Sequence, residues 1–240
     1  MQPNYFTKNH NLMKKRILFS LLAIFGLLFA SNMSAQNSRQ YIRNSIDNWG
    51  ECKNVAITRT NGDLALYGRN GWSGSGLPSG MQTALNELNA DNAYIDDVVI
   101  SENGNWLILY GDNDVRWSGA PSSLSDKIHE FHNRGDIITS ITFEDGGRWI
   151  IISKEYYAAS YGWIQDWLSD GADEYGELWS ACVTSDAMVA VYESGYKYYG
   201  NVPQGLKDAL RETSLDVYRV KIAGTSWFYA DKNGNFRYNM

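Results

Sequence analysis

Residues 98–124 read VVISENGNWLILYGDNDVRWSGAPSSL, and this stretch decides the fold. Two apolar runs flank Asn103-Gly104, which is a strong signal for a β-hairpin. A third run, Val115–Trp117, follows a polar turn, and Pro121 then opens a pattern of apolar residues spaced by four and three positions. That spacing places the apolar residues on one face of a helix, with proline tolerated in its first turn. The stretch therefore predicts three antiparallel strands followed by one helix.

The same pattern recurs along the chain. Pro78, Pro121 and Pro203 each precede a helical pattern, and Tyr161-Gly162-Trp163 occupies the corresponding place in the copy that lacks the proline. Each helical pattern follows a set of short apolar runs separated by turn residues. Tandem units of this kind bury their apolar faces against their neighbours. The sequence thus predicts about five copies of a βββα unit.

The two ends of the repeat region complement each other. The C-terminal part supplies a fifth set of strands, ending in Phe236–Tyr238, without a following helix. The N-terminal part supplies a helix, Tyr41–Trp49, without preceding strands. Open solenoids carry polar capping repeats, whereas both half-units here are apolar. We therefore predict an α+β repeat fold: a closed five-fold propeller-like ring of βββα units in which the N-terminal helix completes the C-terminal unit.

This organisation resembles that of five-bladed propeller proteins. It is similar to the tachylectin-2-like lectins and to the pentein α/β-propellers, and also to exported bacterial tandem-repeat proteins. The resemblance covers residues 36–240 in organisation only, and the Trp-Asp signature of WD repeats is missing. The lectin resemblance implies several equivalent sugar sites around the ring, and the pentein resemblance implies a Cys nucleophile with a His partner. Cys182 lies in a predicted first strand, but no histidine does.

The first 35 residues have the pattern of a secretory signal peptide. Lys14-Lys15-Arg16 precedes the apolar run Ile17–Ala30, and the small residues up to Ala35 suggest cleavage after that position. The run is too short to span a bilayer, and Met13 is an alternative start. We expect residues 36–240 to form one repeat domain that is periplasmic or secreted. The whole chain has a formal charge of −6. The charged residues of the first 35 positions are all basic, so residues 36–240 carry a larger negative charge than the whole chain. Nucleic acid is therefore not an expected partner.

The polar candidates for chemistry are weak. His129 and His132 are three positions apart on one helix, whereas the zincin motif needs a spacing of four. Asp112-Asn113-Asp114 could offer oxygen ligands, but turn composition explains it equally well. Cys52 and Cys182 belong to copies that are not neighbours in a five-membered ring, so a disulfide would have to cross the centre. We expect no metal and no cofactor.

Aromatic residues form the most distinctive repeated set. Trp106, Trp149 and Trp227 share one place in the second strand, where Met188 replaces them in the fourth copy, and this favours packing between units. A second set lies in or near the third strands, beside polar loops. Such aromatics either pack between units or stack on sugar rings. The ligand-binding candidates are Trp72, Trp117, Tyr157, Tyr199 and Tyr238.

Taken together, these features predict an exported non-enzymatic binding or interaction protein for an extracellular glycan or a surface protein. Two alternatives remain. One is a glycan-acting hydrolase at the mouth of the ring, which would need a positioned pair of carboxylates, with Asp97, Glu102 and Asp145 as candidates. The other is a structural component of a surface assembly.

Overall fold

The computed structural model describes residues 36–111 and 113–240. The predicted signal peptide, the alternative start at Met13 and Asp112 lie outside these residues. The described strands form five three-stranded antiparallel sheets, each made of consecutive strands. The sheets are β1 (Asn54–Ala56), β2 (Asp63–Tyr67) and β3 (Gly71–Ser75); β4 (Ile95–Ile100), β5 (Trp106–Tyr110) and β6 (Asp114–Ser118); β7 (Ile138–Phe143), β8 (Trp149–Ser153) and β9 (Tyr157–Ala159); β10 (Leu178–Val183), β11 (Ala187–Tyr192) and β12 (Tyr196–Gly200); and β13 (Val217–Ala223), β14 (Ser226–Asp231) and β15 (Phe236–Asn239).

Helices alternate with the sheets along the chain. They are α1 (36–49), α2 (Met81–Ala90), α3 (Ser122–Arg134), α4 (Gly162–Tyr175) and α5 (Gln204–Glu212). Pro121 and Pro203 stand immediately before α3 and α5, where a missing N–H costs no helical hydrogen bond. Gly104 has a φ of 81° in the hairpin between β4 and β5, a conformation that glycine adopts without a steric penalty. The predicted βββα unit is confirmed in all copies.

The units close into a ring through packing between separate sheets. The first strands β1, β4, β7, β10 and β13 contact one another in that order, and β13 contacts β1. Each of α2 to α5 lies between its own sheet and the next one. The remaining seam is filled by α1, whose Ile42 and Ile46 pack with Phe228 of the fifth sheet and Val55 of the first. The predicted completion of the C-terminal unit by the N-terminal helix is therefore confirmed, with no continuous sheet around the ring.

The second-strand aromatics lie in these seams. Trp106, Trp149 and Trp227 are each less than 10 % exposed, and Met188 at the equivalent register is fully buried. The first unit has Asp63 at this place instead. Its carboxylate accepts hydrogen bonds from Ser38 and Arg39 of α1, so an ion pair replaces an indole at the seam that closes the ring.

Candidate functional site

A cavity opens on the axis of the ring, and we call it the central cavity. Its volume is about 560 Å³, and its lining comes from the first strands of all five sheets and from the first hairpin turns of the first four. The first turns connect the first and second strands, so they share one face of the ring. The second turns lie on the opposite face.

Apolar side chains form the wall of the central cavity. The first strands alternate between residues that pack into the seams and residues that face the axis, and their last residues reach the cavity. The wall is mostly apolar and is interrupted by Thr142 and Lys221. Its main apolar members are Ile57, Val99, Ile100, Phe143, Val183 and Ile222.

A buried ion pair lies at the floor. Lys221 donates a hydrogen bond from Nζ to Oδ1 of Asp97 at 2.7 Å, and Asp97 is fully buried. Asn54 and Ser140 also donate to the Asp97 carboxylate, at 2.8 and 3.0 Å. Burial alone would raise the pKa of Asp97, but the charges of Lys221 and Arg219, together with these hydrogen bonds, lower it to about 2. The carboxylate therefore stays ionised at neutral pH and ties four first strands together at the axis.

Acidic side chains at the rim hold neighbouring turns together. Glu102 accepts hydrogen bonds from the backbone N–H groups of Arg59 and Thr60, at 2.9 and 3.1 Å. Asp145 does the same for the next pair of turns, accepting from Ser101 Oγ at 2.6 Å and from the N–H of Asn103 at 2.9 Å. In both cases a carboxylate from one unit satisfies donors of the preceding unit.

One arginine reaches across the mouth. Arg59 of the first unit donates from Nη2 to Ser185 Oγ of the fourth unit at 2.6 Å. It can cross because the turn of the fifth unit at Gly224 is short, with Ala223 paired directly with Ser226, and Gly224 lies beside the Arg59 side chain. Arg148 also donates to the backbone oxygen of Ser185. The mouth is therefore bordered by charged groups and is not symmetric.

The carboxylates proposed for a hydrolase are all found at this cavity. Glu102 and Asp145 line its rim, and Asp97 lies beneath its floor. Each of the three accepts several hydrogen bonds from other units. With its pKa lowered to about 2, Asp97 cannot donate a proton at neutral pH. The arrangement offers no observation in favour of paired acid and base catalysis.

The five predicted aromatic residues lie on the outer strands of five different sheets, so they do not form one pocket. Four of them pack partly into the seams, on the face that meets the following helix: Trp72, Trp117, Tyr157 and Tyr238. Tyr199 pairs with Met188 of the second strand in its sheet. In their own sheets, Trp117 and Tyr238 pair one register position further along the second strand. Tyr198 is the residue at the equivalent place, because loop lengths differ between units.

Tyr199 consequently faces the other side of its sheet. It is 46 % exposed, and its ring centroid lies 5.1 Å from that of Trp163, which is also exposed. Tyr238 differs again, since its hydroxyl donates to Asp47 of α1 at 2.6 Å and its ring stacks on Phe236. Tyr199 is thus the candidate whose ring is most available to a ligand.

Of the remaining candidates, Cys182 lines the wall of the central cavity. Cys52 and Cys182 are free, buried and in different apolar clusters, and burial raises the pKa of Cys52 to about 12. His129 lies on α3 with its ring 6.2 Å from that of Trp117. Across residues 36–111 and 113–240, no three His, Cys, Asp or Glu side chains cluster closely enough to hold a metal ion. None of the helices in the described part of the chain has the length and apolar character to cross a membrane.

Sequence reasoning named Glu102, Asp145 and Cys182, which line the central cavity, but it missed the basic residues there. Arg59 and Arg148 occupy ordinary turn positions, and Lys221 looks like the exposed half of an alternating strand. One signal in the sequence could have indicated this site. Lys221 is a basic residue in a mostly apolar first strand, at the place where other copies have Ala56, Val99 and Thr142. No protein-family model matches the chain, and a search of the curated proteins finds no match. The site is therefore interpreted from its own geometry.

Proposed function

We propose that this chain is an exported, non-enzymatic binding protein that takes one small amphipathic ligand into its central cavity. The observation that carries the proposal is the cavity itself, which is open to solvent and has a volume of about 560 Å³. This size lies within the range of small-molecule sites, which are mostly apolar with a few placed polar groups. Export through the segment 1–35 is part of the proposal.

The chemistry of the lining indicates the class of ligand. The wall offers apolar contacts from Ile57, Val99 and Phe143, which favour an apolar body. Arg59 and Arg148 at the rim favour a polar or anionic end that remains near solvent. Because each unit contributes a different set of side chains, the cavity is one asymmetric site, so we expect one ligand per chain.

Titration with N-phenyl-1-naphthylamine tests this proposal. The probe is uncharged and apolar, so it reports on the wall independently of charged surfaces. We expect its fluorescence to rise and to saturate at one probe per chain. The substitution Ser185→Trp places an indole at the mouth and should weaken binding by about tenfold or more, the equivalent of roughly 1.4 kcal/mol.

The matched control is Ser194→Trp, the same substitution at the second turn of the same unit, on the opposite face. Ser194 is exposed and donates its hydroxyl to the backbone oxygen of Tyr175. We expect this variant to bind the probe like the unmodified protein. Equal affinities for both variants, or no saturable binding, would refute the proposal.

A saccharide site is a second candidate, supported by the exposed pair Trp163 and Tyr199. Two adjacent aromatic faces on the outside of the ring suit stacking on the C–H surface of a sugar. A glycan-array screen tests it with the variant Tyr199→Ala, and with Tyr41→Ala as a control for an exposed tyrosine on α1. Loss of a glycan signal in Tyr199→Ala but not in Tyr41→Ala would support a lectin-like site. Absence of any glycan signal from the unmodified protein would refute the saccharide site.

A further inference from the structure

A second recess lies on the axis at the opposite face of the ring. It has a volume of about 340 Å³ and is lined by residues that begin the first strands and form the second turns. Four of its lining residues are cationic: Lys53, Lys154, Arg219 and Lys232. We call it the basic recess. We propose that the basic recess binds a small oxyanion, either a carboxylate or a phosphate group, independently of the central cavity.

The acids at the recess are already engaged. Asp96 pairs with Arg219, Oδ1 to Nη2, at 3.3 Å. Asp231 accepts hydrogen bonds within its own turn, from the N–H groups of Asn233 and Asn235 at 2.8 and 2.9 Å. Among the residues that the structure describes at the recess, two acids face four cations, and positive charge is left in excess. This excess stands out in a chain whose formal charge is −6, because the rest of the molecule does not favour anions.

Arg219 supplies the strongest indication of a ligand. It is only 2 % exposed, and its Nη2 donates to the backbone oxygen of Thr139 at 2.6 Å and to Asp96. Its Nη1 is buried and has no hydrogen-bond partner among the described residues. Buried donors are nearly always satisfied. Arg219 lines the recess, and its guanidinium, whose Nη1 has two unpaired N–H bonds, matches a carboxylate or phosphate oxygen.

Two of the three lysines at the recess are held by aromatic rings. Lys53 Nζ lies 4.0 Å from the centroid of the Tyr94 ring and donates to the backbone oxygen of Arg69. Lys232 Nζ lies 4.6 Å from the Tyr218 ring and 4.8 Å from the Trp179 ring. Such contacts restrict flexible side chains without neutralising them. Burial also lowers the pKa of Lys53 to about 8, so an anion nearby would restore favourable surroundings for its charge.

Calorimetric titration with sodium phosphate and, separately, with sodium acetate tests the inference on the purified protein at constant ionic strength. We expect one anion per chain. Binding of phosphate alone would identify a phosphate site, and binding of acetate alone a carboxylate site. Saturable binding of either anion supports the proposal, and binding of neither refutes it.

Variants locate the site. We expect Lys232→Met and Lys53→Met to weaken binding by about fivefold or more each, because each removes one positive charge from a partly desolvated site. Lys207→Met is the matched control, since Lys207 makes a similar contact with Tyr198 at 5.5 Å on the outer strand. We expect that variant to bind normally. Arg219→Met is not suitable as the sole test, because it also removes the ion pair with Asp96 and could destabilise the fold. Equal effects of Lys232→Met and Lys207→Met on anion binding would overturn the assignment.

Discussion

The axis of the ring and its seams are built from the same five sheets, but the side chains at equivalent positions are similar in the seams and varied at the axis. In the seams, one equivalent position of the second strand is occupied by tryptophan in three units, Trp106, Trp149 and Trp227. The other two units have Met188 and Asp63 there, and both are also buried. At the axis, the first-strand residues at one shared register are all buried and comprise four different residue types: Asn54, Asp97, Ser140, Ser180 and Arg219.

The difference follows from how many units share each place. A seam belongs to two sheets and one helix, so the same apolar solution works in each unit. The axis belongs to all five units at once. Five identical charges there would repel, and five identical donors would lack acceptors. A mixed set lets Asp97 accept from Lys221, Asn54 and Ser140 in one network. A mixed set at the axis avoids both problems, and the resulting asymmetry makes the central cavity a single site.

The largest expected effect comes from breaking the axial network. Asp97→Ala leaves Lys221 buried without its carboxylate partner, and such a loss destabilises proteins by about 3–5 kcal/mol. We expect a decrease of about 4 kcal/mol in the free energy of unfolding, measured by urea denaturation. The double variant Asp97→Leu/Lys221→Met removes both charges of the pair and should recover part of this loss. A single variant as stable as the unmodified protein would contradict the central role of the network.

A seam substitution should cost somewhat less and should depend on shape. Trp149 is buried, and its Nε1 donates to Ser123 Oγ at 2.9 Å. Trp149→Ala should lower the free energy of unfolding by about 3 kcal/mol, because a large buried side chain is lost. Trp149→Met should cost less, since Met188 fills the equivalent place in the fourth unit. Equal losses for alanine and methionine would show that the repeated place does not tolerate exchange.

Lowering the pH should reversibly weaken the ionic network around Asp97 at the axis. The pKa of Asp97 is lowered from 3.8 to about 2 in the folded protein, so ionised Asp97 stabilises the fold above the unfolded pKa. This contribution is lost as the pH falls from about 4 towards 2, and it amounts to roughly 2 kcal/mol. Asp97→Asn should flatten the pH dependence of stability in that window. Burial raises the pKa of Asp63 and of Asp96, which gives the opposite slope. Asp97→Asn also removes a charge that helps to raise the pKa of Asp96, so this opposing slope should become smaller in the variant.

The smallest expected effect concerns the two thiols. Cys52 and Cys182 lie unbonded in two different seam clusters. We expect dithiothreitol to leave the melting temperature unchanged. Ellman's reagent should label both thiols rapidly in urea but only slowly in the native protein, because burial suppresses thiolate formation. Rapid labelling without denaturant would place at least one thiol at an accessible surface.

Much of the architecture was predictable because its signals are local. Asn103-Gly104 marks a hairpin, Pro121 marks a helix start, and the complementary half-units at the two ends predict ring closure. The aromatic candidates were harder to place. Tyr199 and Trp117 lie at equal distances along the chain from Met188 and Trp106, yet they pair one register position apart. A shift of one residue turns a strand side chain to the other face, and loop lengths alone do not reveal it.

The repeat, its strands and helices, and the apolar seams can be read from the sequence, because each of these depends on neighbouring residues or on a periodic pattern. The chemistry at the two ends of the axis depends on tertiary contacts. Arg59 meets Ser185, and Lys221 meets Asp97, across more than one hundred residues of chain. Such contacts arise because ring closure brings five first strands to one line in space, and no local pattern encodes which charges meet there.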